Sequence, residues 1–563
     1  MSASSQPPGR DTGAPPDPSG DQTFDDDAVA STTPLPSDRS GGDGPDAQPA
    51  GLGGRVATVV SWIGLVLLAL VAVAAVAMTI GVLLDAFGTG IDRAGLVWMG
   101  IAAVTAVAAL GGLVVVVRIA RRGHAAWAAA LGLAAIGVTR ALAIATIPTP
   151  LTTDWVDYHN HAVILASGGG FASARPPGWP FVLSLLYRVA GPNPLAGEIS
   201  ALVCAVGVGI LIYLIARRWH GDVAAAAGLF LWAISPGPAA FSAVLASEHL
   251  HDLLFVAAFG LALLALERRW IAWLGVGVLL GLSQYVRPIG LVIVPAFALL
   301  PFLAGVPRRR AAAAAISIVV AFGLVLVPSI VSQYQRYGRV TLSTSNFDGW
   351  NLLVGLNVTS GGQYSRDDAG LVNARPTTVE FRDRSYRLAI ERLTQHPSAV
   401  LTLAVPKFQT MWGDSTYGAT WTLGGNRPGH PRAAATLALL SQAGYTAIAV
   451  LAAASLWIRR HSRDPVGLLA VLCLEAVALS ATVLEVQSRY HAFFEPILCL
   501  LAGAAVAWLA ERISRSTATA VGAVPTYGVA SADLVSGRSE DSGQRSNGVR
   551  RSKRAAATVE GAV

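Results

Sequence analysis

Apolar runs long enough to cross a bilayer recur along most of the chain, separated by short polar joints. Their approximate limits are 57–84, 95–117, 125–146, 197–216, 222–238, 250–266, 271–285, 289–305, 311–331, 433–457, 466–484 and 492–510. These runs, about twelve, are continuous rather than alternating at every second residue, so they predict spanning helices and exclude a β-barrel. The expected fold class is an all-α, polytopic membrane helical bundle. Gly178–Ala190 (GWPFVLSLLYRVA) is too short to span and carries Arg188, which predicts an amphipathic helix lying on the membrane surface.

Polarity divides the rest. Residues 1–50 form an arm rich in Pro, Gly and Ser, with nine aspartates against Arg10 and Arg39, and are expected to be disordered. The arm lacks the basic start and early apolar core of a signal peptide, so the first span is expected to stay as an anchor. Two spans follow in 51–120, then a core at 121–331 containing the polar loop 147–180. A polar loop region at 332–432, further spans at 433–510 and a basic, disordered tail at 511–563 complete the chain, with VRRSKR at Val549–Arg554. Arg55, Arg118/Arg121/Arg122, Arg217/Arg218, Arg268/Arg269, Arg308–Arg310, Arg459/Arg460/Arg463 and Arg512/Arg515 fall at alternate span ends. By the positive-inside rule that side is the cytoplasm, and both termini share it, as in a multi-pass plasma-membrane protein. The opposite face then receives Pro148–Trp179, Ser332–Arg432 and Glu485–His491.

Composition narrows the function. The net charge of +7 would suit nucleic acid, but the arginines sit in short clusters at span ends, a topology signal rather than a phosphate-tracking groove. Cys204, Cys473 and Cys499 lie inside apolar segments without metal-ligand spacing and read as packing thiols. No Walker lysine loop, nucleophile elbow or HExxH occurs, so no engine for ATP-driven transport is encoded here. Asn357-Val-Thr359 is a formal glycosylation sequon and is taken as chance.

On a background only 13% charged, the segment Thr152–Pro180 gathers Asp154, Asp157, His159, His161 and Arg175 beside a span. Asp154 has the chemistry to take a proton from a hydroxyl; it is equally suited to cap a helix starting near Trp155. Asp157, one turn on, either shares that pocket or accepts from Arg175. Arg175 is held extended by the following prolines, and its planar fork suits a phosphate as well as it suits the interface. Arg287 breaks an apolar run before Pro288. Glu248, His249 and His251 cluster at another span end; their spacing matches no closed metal site, which favours hydrogen bonding. Glu485, Arg489, Tyr490, His491 and Glu495 form a last polar knot. Trp179 and the run Asp348–Asn357, with Trp350 and Asn351, are further candidates for contacts to a sugar or acceptor.

The order DWVDYHNHA, RPPGWPFVLSLLYRVAG, LASEHL, GLSQYVRPIGL, STSNFDGWNLLVGLNVTSGGQY and SRYHAFFEPILCLLAG resembles the polyprenol-phosphate-sugar-dependent membrane glycosyltransferases. These include the protein O-mannosyltransferases and the aminoarabinose transferase of lipid A. The likeness runs over roughly 125–509. It implies a C-type glycosyltransferase fold and inverting transfer from a polyprenyl-phosphate sugar to an acceptor glycan, lipid or protein on the extracytoplasmic face. It further implies that Asp154, four residues before Tyr158, is the general base. Arg175, before Pro-Pro, then contacts donor phosphate with help from Arg287 or Arg489, and Tyr158, His159, Glu248, His249 and Tyr490 line the substrate. Trp155 stands where many relatives carry a second acid, which counts against metal assistance; no cofactor is expected, and a divalent metal is left open. The spans near 57–84 and 95–117 exceed a minimal family core. The alternative class is a transporter or flippase of lipid-linked sugars; it calls for inverted repeats, and none is visible.

Overall fold

Apolar run length sets the helices. The computed structural model describes residues 52–88, 93–148, 151–171, 173–267, 270–424, 431–462 and 464–522. The acidic arm at 1–50, the tail beyond 522 with Val549–Arg554, and Arg268, Arg269 and Arg463 lie outside the described residues. Three long helices come first: α1 (Leu52–Gly88), α2 (Arg93–Arg121) and α3 (Ala125–Thr146). Two short ones, α4 (Thr153–Ala166) and α5 (Gly178–Ala190), follow. Then come α6 (Pro194–His220), α7 (Asp222–Ile234), α8 (Pro236–Phe241), α9 (Glu248–Glu267), α10 (Trp270–Val286), α11 (Gly290–Leu303) and α12 (Arg308–Tyr337). Next are α13 (Asp348–Gly355), α14 (Arg366–Val372), α15 (Val379–Gln395) and α16 (Ala399–Phe408). Two π-helical turns, Gln409–Gly413 and Thr420–Gly424, flank α17 (Tyr417–Ala419); α18 (Pro431–Ile458), α19 (Pro465–Ala481) and α20 (Glu495–Gly522) close the fold. There is no strand among the described residues.

Each of the twelve predicted runs coincides with a helix, but among the described residues eight helices are long and apolar enough to cross a membrane. The other four, α7, α10, α11 and α19, have 13 to 17 residues. At about 1.5 Å per residue these fall short of the roughly 30 Å hydrocarbon core. The exception in burial is α7, whose residues Ala224–Ala233 are all buried. Its alanines and glycine let α20 approach closely: a Cβ on Gly503 would lie 2.4 Å from the Ala224 carbonyl oxygen. Small residues at a helix contact do the same in membrane bundles generally.

The arginine-rich ends gather together. Arg218, ending α6, pairs with Glu267, ending α9, at 2.8 Å, while Arg459 after α18 reaches Asp464 before α19 at 3.8 Å. Arg121 of α2 bonds Ser514 of α20. These contacts set the basic end of α6 beside the end of α9, and the basic end of α2 beside α20.

Region 332–432, expected as loop, is mostly helical. Trp350, Leu353, Val354, Val372, Phe381 and Ala389 form its core, and ion pairs Arg382–Asp348 and Arg392–Asp368, each 2.7 Å, tie its helices. Periodicity did not reveal them because α13 and α14 span two turns, and α15 is polar over most of its surface. The sequon residue Asn357 is buried, donates to Asp368 at 2.9 Å and accepts from Thr359, so its amide is occupied by the fold. All three cysteines are buried.

Candidate active site

Five segments of the chain bring their charges to one rim of the bundle. Helix α4 supplies Asp154 and Asp157, the loop before α5 supplies Arg175, and the start of α9 supplies Glu248. The end of α10 adds Arg287, and the turn before α20 adds Arg489. Asp154 is not the cap of α4: it stands in the first turn, after Thr152 and after Thr153, whose φ of 50° is unusual for a β-branched residue. Its carboxylate bridges two guanidiniums instead. Oδ1 forms an ion pair with Arg175 Nη2 at 2.7 Å, and Oδ2 accepts from Arg489 Nη2 at 2.7 Å.

The neighbours are equally engaged. Asp157 Oδ2 lies 3.4 Å from Arg175 Nε and accepts from Ser173 Oγ at 2.7 Å; Oδ1 is 3.2 Å from His161 Nδ1. Ser173 Oγ in turn accepts the Arg175 backbone N–H at 3.0 Å, so one hydroxyl orients both partners. Glu248 Oε1 meets Arg287 Nη1 at 2.5 Å and Arg489 Nη1 at 3.6 Å. Exposure grades across the group: Glu248 and Arg489 are 4% and 7% exposed and form the floor, Arg175 and Asp157 are 28% and 34% exposed and form the mouth. Buried charge of this density is tolerable only because each carboxylate faces a guanidinium.

Aromatic rings wall the floor. Arg489 lies 5.1 Å from the Trp421 ring and 5.8 Å from Trp155, Arg287 lies 5.2 Å from Tyr490, and Arg175 lies 5.3 Å from Phe347. Behind Arg489 runs a relay: its Nε donates to Gln487 Oε1 at 3.0 Å, and Gln487 Nε2 donates to Glu485 Oε1 at 2.8 Å. Burial by itself pushes the Asp154 carboxyl up; the Arg489 and Arg175 guanidiniums outweigh it and hold the carboxyl below its ordinary value of 3.8. Burial raises Glu485, with only partial relief from Gln487 and Arg489. The Tyr158 phenol is likewise pushed up, first by burial and then by the Asp154 charge.

Residues 174–332 match the family pattern of the dolichyl-phosphate-mannose-protein mannosyltransferases, a segment that includes Arg175, Glu248 and Arg287. No curated protein matches the chain. Among solved structures, the oligosaccharyltransferase AglB of Archaeoglobus fulgidus, in complex with an inhibitory peptide and a dolichol-phosphate, is 12% identical at a TM-score of 0.44. That match covers 72% of this chain and 52% of AglB, so this chain spans about half its length. ArnT of Cupriavidus metallidurans, bound to undecaprenyl phosphate, is 14% identical at a TM-score of 0.31, covering 70% of this chain and 81% of ArnT.

The structure unites Asp154, Asp157, Arg175, Glu248, Arg287, Arg489 and Tyr490. Tyr158 packs beside them in the cluster of Trp155 and Trp179. Trp179 donates its indole N–H to the Leu245 carbonyl at 3.1 Å and is a packing residue. His159 turns to Tyr187 at 2.9 Å, and His249 is buried against the Phe241 carbonyl at 3.1 Å. Trp350 stacks on Phe381 in the core of the α13–α15 unit, apart from the charges. Asn351 enters through its backbone, accepting the Glu485 N–H at 2.8 Å. Ser173, Gln487 and Trp421 were missed; being uncharged, they carry no signal except proximity to Arg175 and Arg489.

Both Asp154 oxygens and Glu248 Oε1 are taken by guanidiniums, and among the described residues no three His, Cys, Asp or Glu side chains converge as ligands.

Proposed function

We propose that this protein is an integral-membrane glycosyltransferase that moves a sugar from a polyprenyl-phosphate donor to an acceptor hydroxyl at the extracytoplasmic face, with inversion. The observation that carries the reading is Asp154 bridging Arg175 and Arg489 at 2.7 Å each, with Arg175 inside the segment 174–332 that matches the family pattern.

Transfer breaks the bond between the anomeric carbon and the phosphate oxygen, so negative charge grows on the departing lipid phosphate. Guanidiniums already aimed at the site meet that charge without reorganising. The guanidiniums of Arg175 and Arg287 stand at this site, and each carries five N–H donors with which to meet phosphate oxygens. The acceptor hydroxyl attacks from the opposite side and gives its proton to Asp154, which is ionised throughout the neutral range because its pKa is low. A carboxylate shared by two arginines is a weak base. Donor phosphate competes for those same arginines, so its arrival raises the basicity of Asp154 and couples binding to proton removal. The basic helix ends gathered at the far end of the bundle support placing that end, and both termini, in the cytoplasm of a plasma-membrane protein. The acceptor class is a glycan, lipid or protein hydroxyl.

The test is transfer from a polyprenyl-phosphate sugar in membranes with matched protein levels. Asp154→Asn is expected to lower kcat by about 10²–10⁴-fold, the usual worth of a general base. Arg175→Ala is expected to raise KM for the lipid donor as well as lower kcat. Unchanged transfer in Asp154→Asn removes the base and the mechanism with it.

A further inference from the structure

Arg489 rides on a turn that needs support from outside. Ser488–Phe494 runs seven residues in the tight 3₁₀ form. Runs of that kind are uncommon beyond three or four residues, because their hydrogen-bond geometry is poor. Two groups hold the ends of this one. Gln487 meets Arg489 on the entry side. On the exit side stands Glu495, the first residue of α20, which is 3% exposed and has no part in the transfer chemistry above.

Glu495 Oε1 collects partners from three places. It accepts from the Tyr417 hydroxyl at 3.0 Å and from Ser415 Oγ at 3.3 Å, and it lies 3.3 Å from Nε2 of His491, inside the turn itself. Ser415 is fixed in its turn by Gln442 of α18. The Ser415 N–H donates to Gln442 Oε1 at 2.8 Å, while Gln442 Nε2 donates to the carbonyls of Gly413 at 2.7 Å and of Ala75, on α1, at 3.2 Å. Tyr417 stands between the two π-helical turns, a rare form that recurs at functional sites. The second of those turns carries Trp421, whose ring lies 5.1 Å from the Arg489 guanidinium and 5.1 Å from the ring of Trp155, next to Asp154. The turn that bears Arg489 and the turn that covers it therefore meet at one carboxylate oxygen. An acid at the start of a helix also favours that helix through its dipole, but that role asks for no bond to Ser415 or Tyr417.

We propose that Glu495 is a positioning residue: by tying His491, Tyr417 and Ser415 to one point it holds Arg489 in register with Asp154, without touching substrate. Its consequence for catalysis rests on the transferase reading, whereas the register itself can be measured without transfer.

The full-length protein in lipid nanodiscs is titrated by infrared spectroscopy, following the protonated-carboxyl band that Asp154→Asn removes. Glu495→Leu is expected to move the midpoint of that band upward by about 1 pH unit, in the direction of Arg489→Met, because the guanidinium that keeps the carboxyl ionised is displaced. In the double variant the two shifts are expected not to add, since both act through Arg489. Glu495→Gln keeps an oxygen acceptor of the same reach and is expected to restore the wild-type midpoint. Tyr417→Phe removes one hydroxyl from a ring that stays packed; its smaller shift in the same direction carries the test should Glu495→Leu fail to fold. A midpoint unmoved in Glu495→Leu and Tyr417→Phe, whatever their thermal stability, overturns the positioning role, as do shifts that add in full to that of Arg489→Met. Midpoints that shift as expected in a protein that transfers no sugar from a polyprenyl-phosphate donor would sink the transferase reading and leave the positioning intact.

Discussion

At the residue scale, the argument turns on Asp154, whose two oxygens are claimed by arginines 21 and 335 positions away in the chain. Removing Arg489 withdraws the largest opposing charge and lets desolvation act, so the carboxyl's pKa must rise. We therefore expect Arg489→Met to move the acidic limb of the pH–rate profile upward by about 1–3 units. A limb that stays in place would show that Asp154 is not the titrating group. The same linkage bears on stability. Asp154 sits below its unfolded value, so its stabilisation is complete above the ordinary carboxylate range and is lost as pH falls through the lower folded value. Asp154 and Arg175 were legible in the sequence because a charge on an apolar background stands out. Ser173, Gln487 and Trp421 were not: a serine, a glutamine and a tryptophan are ordinary until something charged lies against them.

Among the elements, the α13–α16 unit holds the Arg489 turn in place. Lys407 of α16 is 1% exposed and donates to the carbonyls of Gly355 at 2.9 Å and Thr482 at 3.1 Å. Beside it, the Glu485 and Val486 N–H groups bond to Asn351 and Gly362, so the segment leading to Gln487 and Arg489 is clamped from outside the bundle. Gly355 permits that approach, since a Cβ there would stand 2.2 Å from the Val483 carbonyl oxygen. Gly355→Ala should lower stability by about 1–3 kcal/mol, as overpacking does, and disturb transfer through Arg489; a neutral result in thermal unfolding would deny the clamp. Burial, offset in part by Glu485, brings the Lys407 pKa down to about 8. Between there and its ordinary 10.5 the unfolded chain binds more protons, so stability should rise with pH by roughly 1–3 kcal/mol, and Lys407→Met should abolish that slope. None of this unit was foreseen, because helices of two or three turns lack the length for periodicity to register.

Over the whole molecule, two ends differ in chemistry: arginines at one, an acid–arginine cluster at the other. Sidedness follows and can be measured, because the three native cysteines are buried and form a silent background. Val340→Cys, at an exposed position beyond α12, should react with an impermeant maleimide on intact cells, whereas Arg217→Cys, ending α6, should react only after permeabilisation. The reverse pattern would put the cluster in the cytosol and end the case for an extracytoplasmic transferase. The amino-acid order alone determined that the chain is a helical membrane bundle and which ends carry positive charge. Both are sums over neighbouring residues, in the transfer of an apolar run to lipid and in the charge of a short loop. Only the tertiary structure decided that Asp154, Arg175, Glu248, Arg287 and Arg489 share one rim, that α7 is buried without reaching across, and that Trp350 belongs to another core. Those facts depend on which helices touch, and contact between residues hundreds of positions apart is settled by packing, which no local pattern encodes.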